Sequence, residues 1–571
     1  MTKIFDDPTG FADAAIDGLV AAHRNRLERV DGGVVRASQM QQNQVAVVIG
    51  GGSGHYPAFA GLVGPGLAAG SACGNLFASP SAGQIYRVAK AASTGGGVLL
   101  SYGNYAGDVL HFGQAAERLV ADGIETRTVV VTDDIASAPP ERKHERRGIA
   151  GDLTVFKIAG AASEEGADLE ETVRLAEKAN ERTRSLGVAF DGCTLPGAGA
   201  PLFHVPAQGM SLGLGIHGEP GISEHKLPTS SELAELLVSR LLADRPAEAG
   251  IRVVPIVNGL GTVKYEELFV LYAHVERLLI AEGLQVVEPE CGELVTSLDM
   301  SGASLTLFWV DEELERLWSA PADTPAFRRG NVTAAARRTF AVADARERTH
   351  EVATAASAHL GQQAAGLLEI TRGIIVRHEA ELGDLDAIAG DGDHGIGMRR
   401  GIEAAVGAAT AVAGTRSVRD VLASAGEAWS EKAGGTSGAL WGAGITAIGQ
   451  SLGNREQYSH ADLAQAVEAF SDAVITLGKT DLGDKTMVDA LHPYTESIRE
   501  GIRAALPLGL VLERSASTAK AAALATANLR PKKGRARPLS EKSLGHQDPG
   551  AYSFALIVAG LSAQHANSTL A

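Results

Sequence analysis

The pattern of this chain changes once, near residue 346, and that change constrains the fold more than any single motif does. Before it, short aliphatic or β-branched runs alternate with longer amphipathic stretches; the runs are Val45–Ile49, Gly97–Leu100, Thr128–Thr132, Ile251–Val257 and Leu305–Val310. Several end in glycine. The alternation predicts an α/β domain on a mixed or parallel sheet, with room for two subdomains. After the change, strand signals all but vanish. Helical patterns follow one another through 351–381, 397–412, 417–431, 438–452, 461–477, 486–505, 514–528 and 550–567, punctuated by glycine, proline or aspartate. Abundant alanine suits close packing, so this half reads as an all-α bundle of about eight helices with polar chemistry in the loops at one end. The stretch near 319–345 has prolines, alanines and arginines and little apolar periodicity. The expected division is a domain over 1–320, a linker over 321–345 and a second domain over 346–571.

A chain of 571 residues exceeds what one core supports. Its 68 acidic against 51 basic residues give a net charge of −17, a surface that repels polyanions, so no nucleic-acid partner is expected. No apolar run approaches the roughly 18 residues of a membrane span. The three cysteines, Cys73, Cys193 and Cys291, form neither a CxxC pair nor a disulfide framework, and MTKIFDDPTG is no signal peptide. A cytoplasmic protein is expected.

In the helical half, LDAIAGDGDHGIGMRRG carries Asp386, Asp391 and Asp393. Three carboxylates within eight residues repel one another unless a cation sits between them, and the intervening glycines let the backbone turn so that the oxygens converge. Hard oxygen ligands suit Mg²⁺, which completes its shell with water and substrate phosphate. A calcium EF-hand would need a glutamate closing a twelve-residue loop, and none is present. GGTSGALWG puts Thr436 and Ser437 at a helix start, and GKTDLGDKTMVDAL makes a second glycine-rich turn before a helix. LRPKKGRARP gathers Arg530, Lys532, Lys533, Arg535 and Arg537 in an otherwise acidic chain. Such a run is commonly a solvated face, but beside a magnesium site it can neutralise a triphosphate. There is no GxxxxGK[ST] loop.

In the first half, VAVVIGGGSGHYPAF runs from a strand into a glycine-rich turn bearing Ser53 and His55. The spacing is wrong for a dinucleotide fold. SYGNYAGD ends a second strand with Asn104 and Asp108, and LGLGIHGEPG sets His217 among glycines with Glu219 two residues on. A neutral imidazole can attack a carbonyl carbon, and a nearby carboxylate can accept a hydroxyl proton.

The ordered set GDGDHG, GGTSGALWG, GDKTMVDAL and GRARPLSEKSLGHQDPGA resembles the nucleotide-binding domain of the dihydroxyacetone kinase family. GGGSGH, ACGNLFASPS, NYAGD, CTLPGA and GIHGEPG resemble, in order, that family's sugar-binding domain. The resemblance implies a barrel of antiparallel helices, two Mg²⁺ ions bridging the ATP phosphates, and a homodimer with swapped domains. It makes Asp386, Asp391 and Asp393 metal ligands. It puts His394, Gly395, Thr436, Ser437, Gly478, Thr486, Met487, Arg535, Asp548 and Pro549 on or beside the nucleotide. It makes His217 the covalent ligand, His55 and Asp108 the acid/base pair, and Gly52, Ser53, Gly54 and His55 substrate contacts. Relatives commonly carry glutamate at Tyr56, aspartate at Asn75 and lysine at Gly103. Glycine at 103 is expected to open room for a longer sugar, so erythrulose joins dihydroxyacetone as substrate. An FAD-cyclising lyase on the same nucleotide site and a sugar-sensing regulator are the alternative functions.

Overall fold

Strand Ala46–Ser53 shows why the first half folds as it does. Its residues point alternately to two sides, so Ala46 and Val48 enter one core while Val47 and Ile49 enter another. A strand apolar on both faces needs helices on both. The computed structural model describes residues 2–219, 221–338, 351–390, 392–533 and 540–569. It divides into two compact units, Met1–Phe340 and Ala341–Ala571.

The first unit holds two mixed sheets. One comprises β1 (Leu27–Val30), β2 (Gly33–Arg36), β3 (Ala46–Ser53), β4 (Gly70–Leu76), β5 (Val98–Gly103) and β6 (Thr126–Val131), in the order β1-β2-β4-β3-β5-β6. β4, β3, β5 and β6 run parallel, while β1 and β2 make an antiparallel edge. After α1 (Phe11–Ala22), helices α2 (Ala82–Ala92) and α3 (Ala106–Ala121) cover one face through Ile85, Val88, Phe112 and Leu119. On the other, α4 (Asp152–Glu164) and α5 (Leu169–Glu181) supply Leu153, Phe156, Leu175 and Ala179.

The second sheet comprises β7 (Thr183–Asp191), β8 (Gly209–Leu212), β9 (Ser223–Lys226), β10 (Arg252–Gly259), β11 (Gln285–Val286), β12 (Glu290–Gly292) and β13 (Ser301–Trp309). Its order is β11-β10-β13-β7-β8-β9, with β12 also on β10. Val253 and Val257 pack beneath α6 (Ser230–Ala243) and α7 (Tyr265–Ala281), while Val254, Ile256 and Phe308 join the large core that also backs the first sheet. Residues read from sequence as the start of the linker belong to this unit. After α8 (Glu312–Ser319), β14 (Ala322–Asp323) pairs with β15 (Arg328–Arg329). Thr324 and Phe327 between them are buried, and the Arg329 guanidinium lies 4.8 Å over the Trp318 ring. Residues 339–345 of that expectation lie outside the described residues.

The second unit is helical among its described residues. α9 (Ala355–Asp386), α10 (His394–Val412), α11 (Val418–Ala433), α12 (Gly435–Leu452), α13 (His460–Gly478), α14 (Val488–Arg503), α15 (Leu508–Ala525), the short α16 (Ser540–Ser543) and α17 (Pro549–Thr569) follow in order. Each long helix packs on the next, and α17 returns to α9, closing a ring of eight. Stacked Trp429 and Trp441, 5.3 Å apart, with Phe470 and Phe554, fill its core. Thr354, Ser417 and Ser459 cap α9, α11 and α13 through backbone amides. No helix among the described residues is long and apolar enough to cross a membrane.

Candidate active site

In the first unit the parallel strands open at their carboxyl ends, where α/β sheets bind ligands. β3 runs into the turn Gly52–His55, in which Ser53 Oγ donates to the Gly74 carbonyl at 2.6 Å. Gly54 adopts φ +104°, a region that glycine enters without strain. A Cβ on Gly52 would stand 2.7 Å from the Ala78 amide, so the turn lies flat against its neighbour. β5 delivers Gly103, and the first turn of α3 delivers Asp108, whose Oδ2 accepts from Ser79 Oγ at 2.8 Å. His217 arrives from the loop after β8.

The two histidines, 162 residues apart, meet with their Nε2 atoms 3.0 Å from each other. Both are buried. His55 Nδ1 lies 2.7 Å from the Thr296 carbonyl and His217 Nδ1 lies 3.0 Å from Glu219 Oε1. Rings crowd His217 edge-on: Phe77 at 5.6 Å, Tyr105 at 4.6 Å and His55 at 4.6 Å between centroids. Burial, reinforced by His217, pushes His55 down to about 3 against the pull of the Thr296 carbonyl and Glu219, so His55 is neutral at pH 7.

The partners then assign the protons. A carbonyl only accepts, so His55 carries its hydrogen on Nδ1 and presents a lone pair at Nε2. A carboxylate likewise requires hydrogen on His217 Nδ1. At 3.0 Å the two Nε2 atoms need one proton between them, and His217 supplies it. The pair shares one hydrogen on the Nε2–Nε2 line, with Glu219 behind His217 Nδ1.

Gly103 differs from the sequence expectation. A Cβ there would stand 3.2 Å from the Gly148 carbonyl oxygen and 3.2 Å from the Tyr105 ring. The space beside it is filled by backbone and by the ring that packs on His217, so absence of a side chain opens no room in that direction. Thr296, Ser79 and Tyr105 were not singled out from sequence. Ser79 lay within a recognised motif, whereas Thr296 sits in a loop with no signal of its own.

In the second unit the expected residues gather although nearly 165 positions separate them. Helices that turn back on their predecessors start alternately at opposite ends of a ring. α10, α12, α14 and α17 are alternate members of the eight, so their first turns share one end. His394, at the start of α10, is buried; its Nε2 lies 3.0 Å from Ser553 Oγ and its Nδ1 lies 3.4 Å from Ser437 Oγ. Burial lowers His394, with Asp386 opposing. Thr436 and Ser437 stand in the first turn of α12. Gly478 ends α13, and Thr486 and Met487 precede α14, where the Thr486 amide donates to Asp489 Oδ2 at 2.8 Å. Asp548 leads into α17 at Pro549, accepting from the Ala551 amide at 2.7 Å.

A small cavity of about 30 Å³, open to solvent, is lined by Asp386, Gly390, Lys485, His546, Asp548 and Pro549 among others. Lys485, buried and unforeseen from sequence, donates to the carbonyls of Leu529, Ser543 and His546 at 3.2, 2.6 and 2.9 Å. It ties Leu529, at the start of the basic segment, and Ser543 and His546, beyond its end, to the α14 turn. Within that segment Arg530 pairs with Glu541 and Lys532 with Asp484. Arg535 and Arg537 lie outside the described residues, as does Asp391.

Asp393, although exposed, is pushed up to about 7 by desolvation and by Asp386, with Arg400 opposing. Asp548 is also raised to about 7, by burial first and then Asp489 and Asp386. Carboxyls raised by a neighbouring carboxylate fit a hard dication: Asp386 and Asp393 would hold Mg²⁺, which supplies charge neutralisation to bound phosphate. Among the described residues no three acidic, histidine or cysteine side chains form a closed metal cluster. Gly395 has a second role beside the site. A Cβ there would stand 2.0 Å from the Glu379 carbonyl oxygen, so the bare glycine lets α10 rest on α9.

Comparison with known proteins matches residues 17–326 to the Dak1 domain and 388–563 to the DAK2 domain. The L-erythrulose kinase of Pectobacterium atrosepticum is 53% identical over 99% of this chain and 96% of its own length. The D-erythrulose kinase of Mycolicibacterium smegmatis is 51% identical over 97% of each. Among solved structures, the dihydroxyacetone kinase from C. freundii in complex with AMP-PNP and Mg²⁺ is 31% identical, with a TM-score of 0.53 over 99% of each chain. With both domains in one polypeptide and relatives of this identity along its whole length, the chain belongs to the dihydroxyacetone kinase family.

Proposed function

We propose that this protein transfers the terminal phosphoryl group of ATP to a terminal hydroxyl of a short ketose, and that erythrulose is its preferred acceptor. The observation that carries the reading is the buried His55–His217 pair, whose Nε2 atoms stand 3.0 Å apart with Glu219 behind. His217 Nε2 gives up the shared proton and forms a bond to ketose C2. The carbonyl π pair moves to O2, which takes that proton, and the imidazole ring stays cationic against Glu219. The result is a tethered hemiaminal with a free terminal hydroxyl. Alcohols such as glycerol lack a carbonyl and form no tether. Asp108, held by Ser79, is the proposed acceptor of the hydroxyl proton, with His55 as its acid/base partner and Gly52, Ser53 and Gly54 as contacts of the sugar.

In the helical unit Asp386, Asp391 and Asp393 are the proposed ligands of two Mg²⁺ ions. His394, Gly395, Thr436, Ser437, Gly478, Thr486, Met487, Arg535, Asp548 and Pro549 are the proposed nucleotide contacts. Support comes from the convergence of the helix starts and from the neighbour bound to AMP-PNP and Mg²⁺. The erythrulose preference is supported by relatives at 51–53% identity that bear that name. A domain-swapped homodimer is proposed on the family resemblance, and a cytoplasmic setting on three free cysteines.

The test is an ADP-release assay with MgATP across ketoses of three to five carbons, with FAD as a separate substrate. The expected result is a kcat/KM for erythrulose at or above that for dihydroxyacetone, lost in Asp386→Asn. Turnover of FAD but of no ketose would overturn the assignment.

A further inference from the structure

We propose that the buried ion pair Arg147–Asp134 is a positioning device for His217, acting through Glu219. The inference rests on the reading of His217 as the residue that bonds the sugar.

The Arg147 guanidinium grips Asp134 Oδ2 with Nε at 2.9 Å and Nη2 at 2.8 Å, and Nη2 also donates to the Gly213 carbonyl at 3.1 Å. Its remaining arm, Nη1, lies 3.7 Å from Glu219 Oε2. That oxygen also accepts the His217 amide at 3.0 Å, while Oε1 faces His217 Nδ1. Charges therefore alternate inward from Asp134 to Arg147, Glu219 and His217, and all four side chains are largely buried. The 134–137 turn is itself locked. Asp134 Oδ1 accepts the Ala136 amide at 3.0 Å, and Ser137 Oγ accepts the Arg147 amide at 2.9 Å while donating to the Asp134 carbonyl.

Gly215 is the independent sign that this contact is built. A Cβ there would stand 2.1 Å from Glu219 Oε2 and 2.5 Å from Arg147 Nη1. The backbone at 215 thus leaves only enough space for the two side chains to meet. Burial works against the Arg147 charge, yet Asp134 and Glu219 outweigh it and hold the guanidinium above its usual range.

Removal of the guanidinium would leave two buried carboxylates unbalanced, and Glu219 would take a proton. A neutral Glu219 donates to His217 Nδ1 instead of accepting from it. The imidazole then keeps its hydrogen on Nε2, the atom that must attack C2, and the tether fails. Arg147 thus keeps Glu219 an acceptor, so that Nδ1 holds its hydrogen while Nε2 gives up the shared one, and Asp134 fixes Arg147.

The experiment follows a ketose labelled with ¹³C at C2 on the full-length chain, reading conversion of the carbonyl carbon to a saturated, protein-bound carbon. Arg147→Gln and Asp134→Asn should lower the bound fraction at least ten-fold while KM for MgATP stays unchanged. Arg147→Ala should regain adduct on addition of guanidinium ion, which a merely structural defect would not do. If Arg147→Ala does not fold, Gly215→Ala, which keeps every charge but parts Arg147 from Glu219, should give the same loss. Adduct at wild-type level in Arg147→Gln and Gly215→Ala would overturn the inference. His217→Gln separates the two ideas: adduct persisting in that variant would sink the underlying reading, whereas its loss alone, with Arg147 and Asp134 variants unaffected, would sink only this one.

Discussion

Gly103 illustrates how a missing side chain can be misread. Compared with a lysine, glycine subtracts volume, and sequence reasoning converts that into room for another hydroxymethylene. In the folded chain the Gly148 backbone lies close against Gly103: a Cβ on Gly148 would stand 2.5 Å from the Gly103 Cα. The two glycines are a close crossing of β5 with the segment before α4, with the Tyr105 ring as third member. Gly103→Lys is therefore expected to overpack, costing about 1–3 kcal/mol of stability. By displacing Tyr105 from His217 it should raise KM for triose and tetrulose together. A true length pocket would shift the ratio of their kcat/KM values about ten-fold. Parallel kinetics on dihydroxyacetone and erythrulose decide the matter: a well-folded variant that swings toward the triose would restore Gly103 as the determinant of sugar length.

Helix α10 carries two glycines with opposite expectations. At Gly395 a Cβ would meet the Glu379 carbonyl at 2.0 Å and the Gly383 amide at 3.1 Å, both rigid backbone of α9. At Gly407 it would meet nothing within 4 Å. Gly395→Ala should force the helix pair apart and destabilise the helical unit by about 2 kcal/mol or more. Gly407→Ala should stabilise it by up to ~1 kcal/mol through helix propensity alone. Urea melts of both variants check the contrast, and equal shifts would refute the packing argument. Such elements also mark what sequence can say. The eight long helices were legible from periodicity, because each buries one apolar stripe. β3, β5, β6, β10 and β13 were legible as aliphatic runs. β1, β2, β8 and β9 were not: their short or polar sequences, such as Ser223–Lys226, become strands because a neighbour offers a free edge. The site followed the same division. His55, Asp108 and His217 are announced by the glycines that let backbone turn around a ligand. Arg147 and Asp134 are announced by nothing local, since an ion pair depends on side chains meeting through loops that carry no pattern.

Across the helical unit, the carboxylates crowded around Asp386 are a latent instability that a cation relieves. Asp393 and Asp548 are raised to about 7 from an ordinary value of 3.8. A carboxyl whose folded value is raised binds its proton more tightly when folded, so its stabilisation is complete below 3.8 and is lost as pH climbs through 7. His394, lowered by burial, has the opposite sense: its contribution falls away only below its ordinary value of 6.5. Lys485, also lowered, works against the trend only toward its ordinary range near 10.5. Between pH 6.5 and 8.5 the carboxyls therefore dominate. Without metal the transition of the helical unit should move down over that range, Asp548 contributing more than the exposed Asp393. MgATP should remove the slope, adding stability that grows with ligand concentration above Kd and is largest at the alkaline end. Erythrulose should instead raise the transition of the α/β unit, because its tether forms there. Differential scanning calorimetry at pH 6.5, 7.5 and 8.5, with EDTA, MgATP or ketose, reads each effect separately. A transition of the helical unit indifferent to pH in EDTA, or a Mg²⁺ effect that shrinks as pH rises, would show that these carboxylates are not held in mutual repulsion and that the cation neutralises something else.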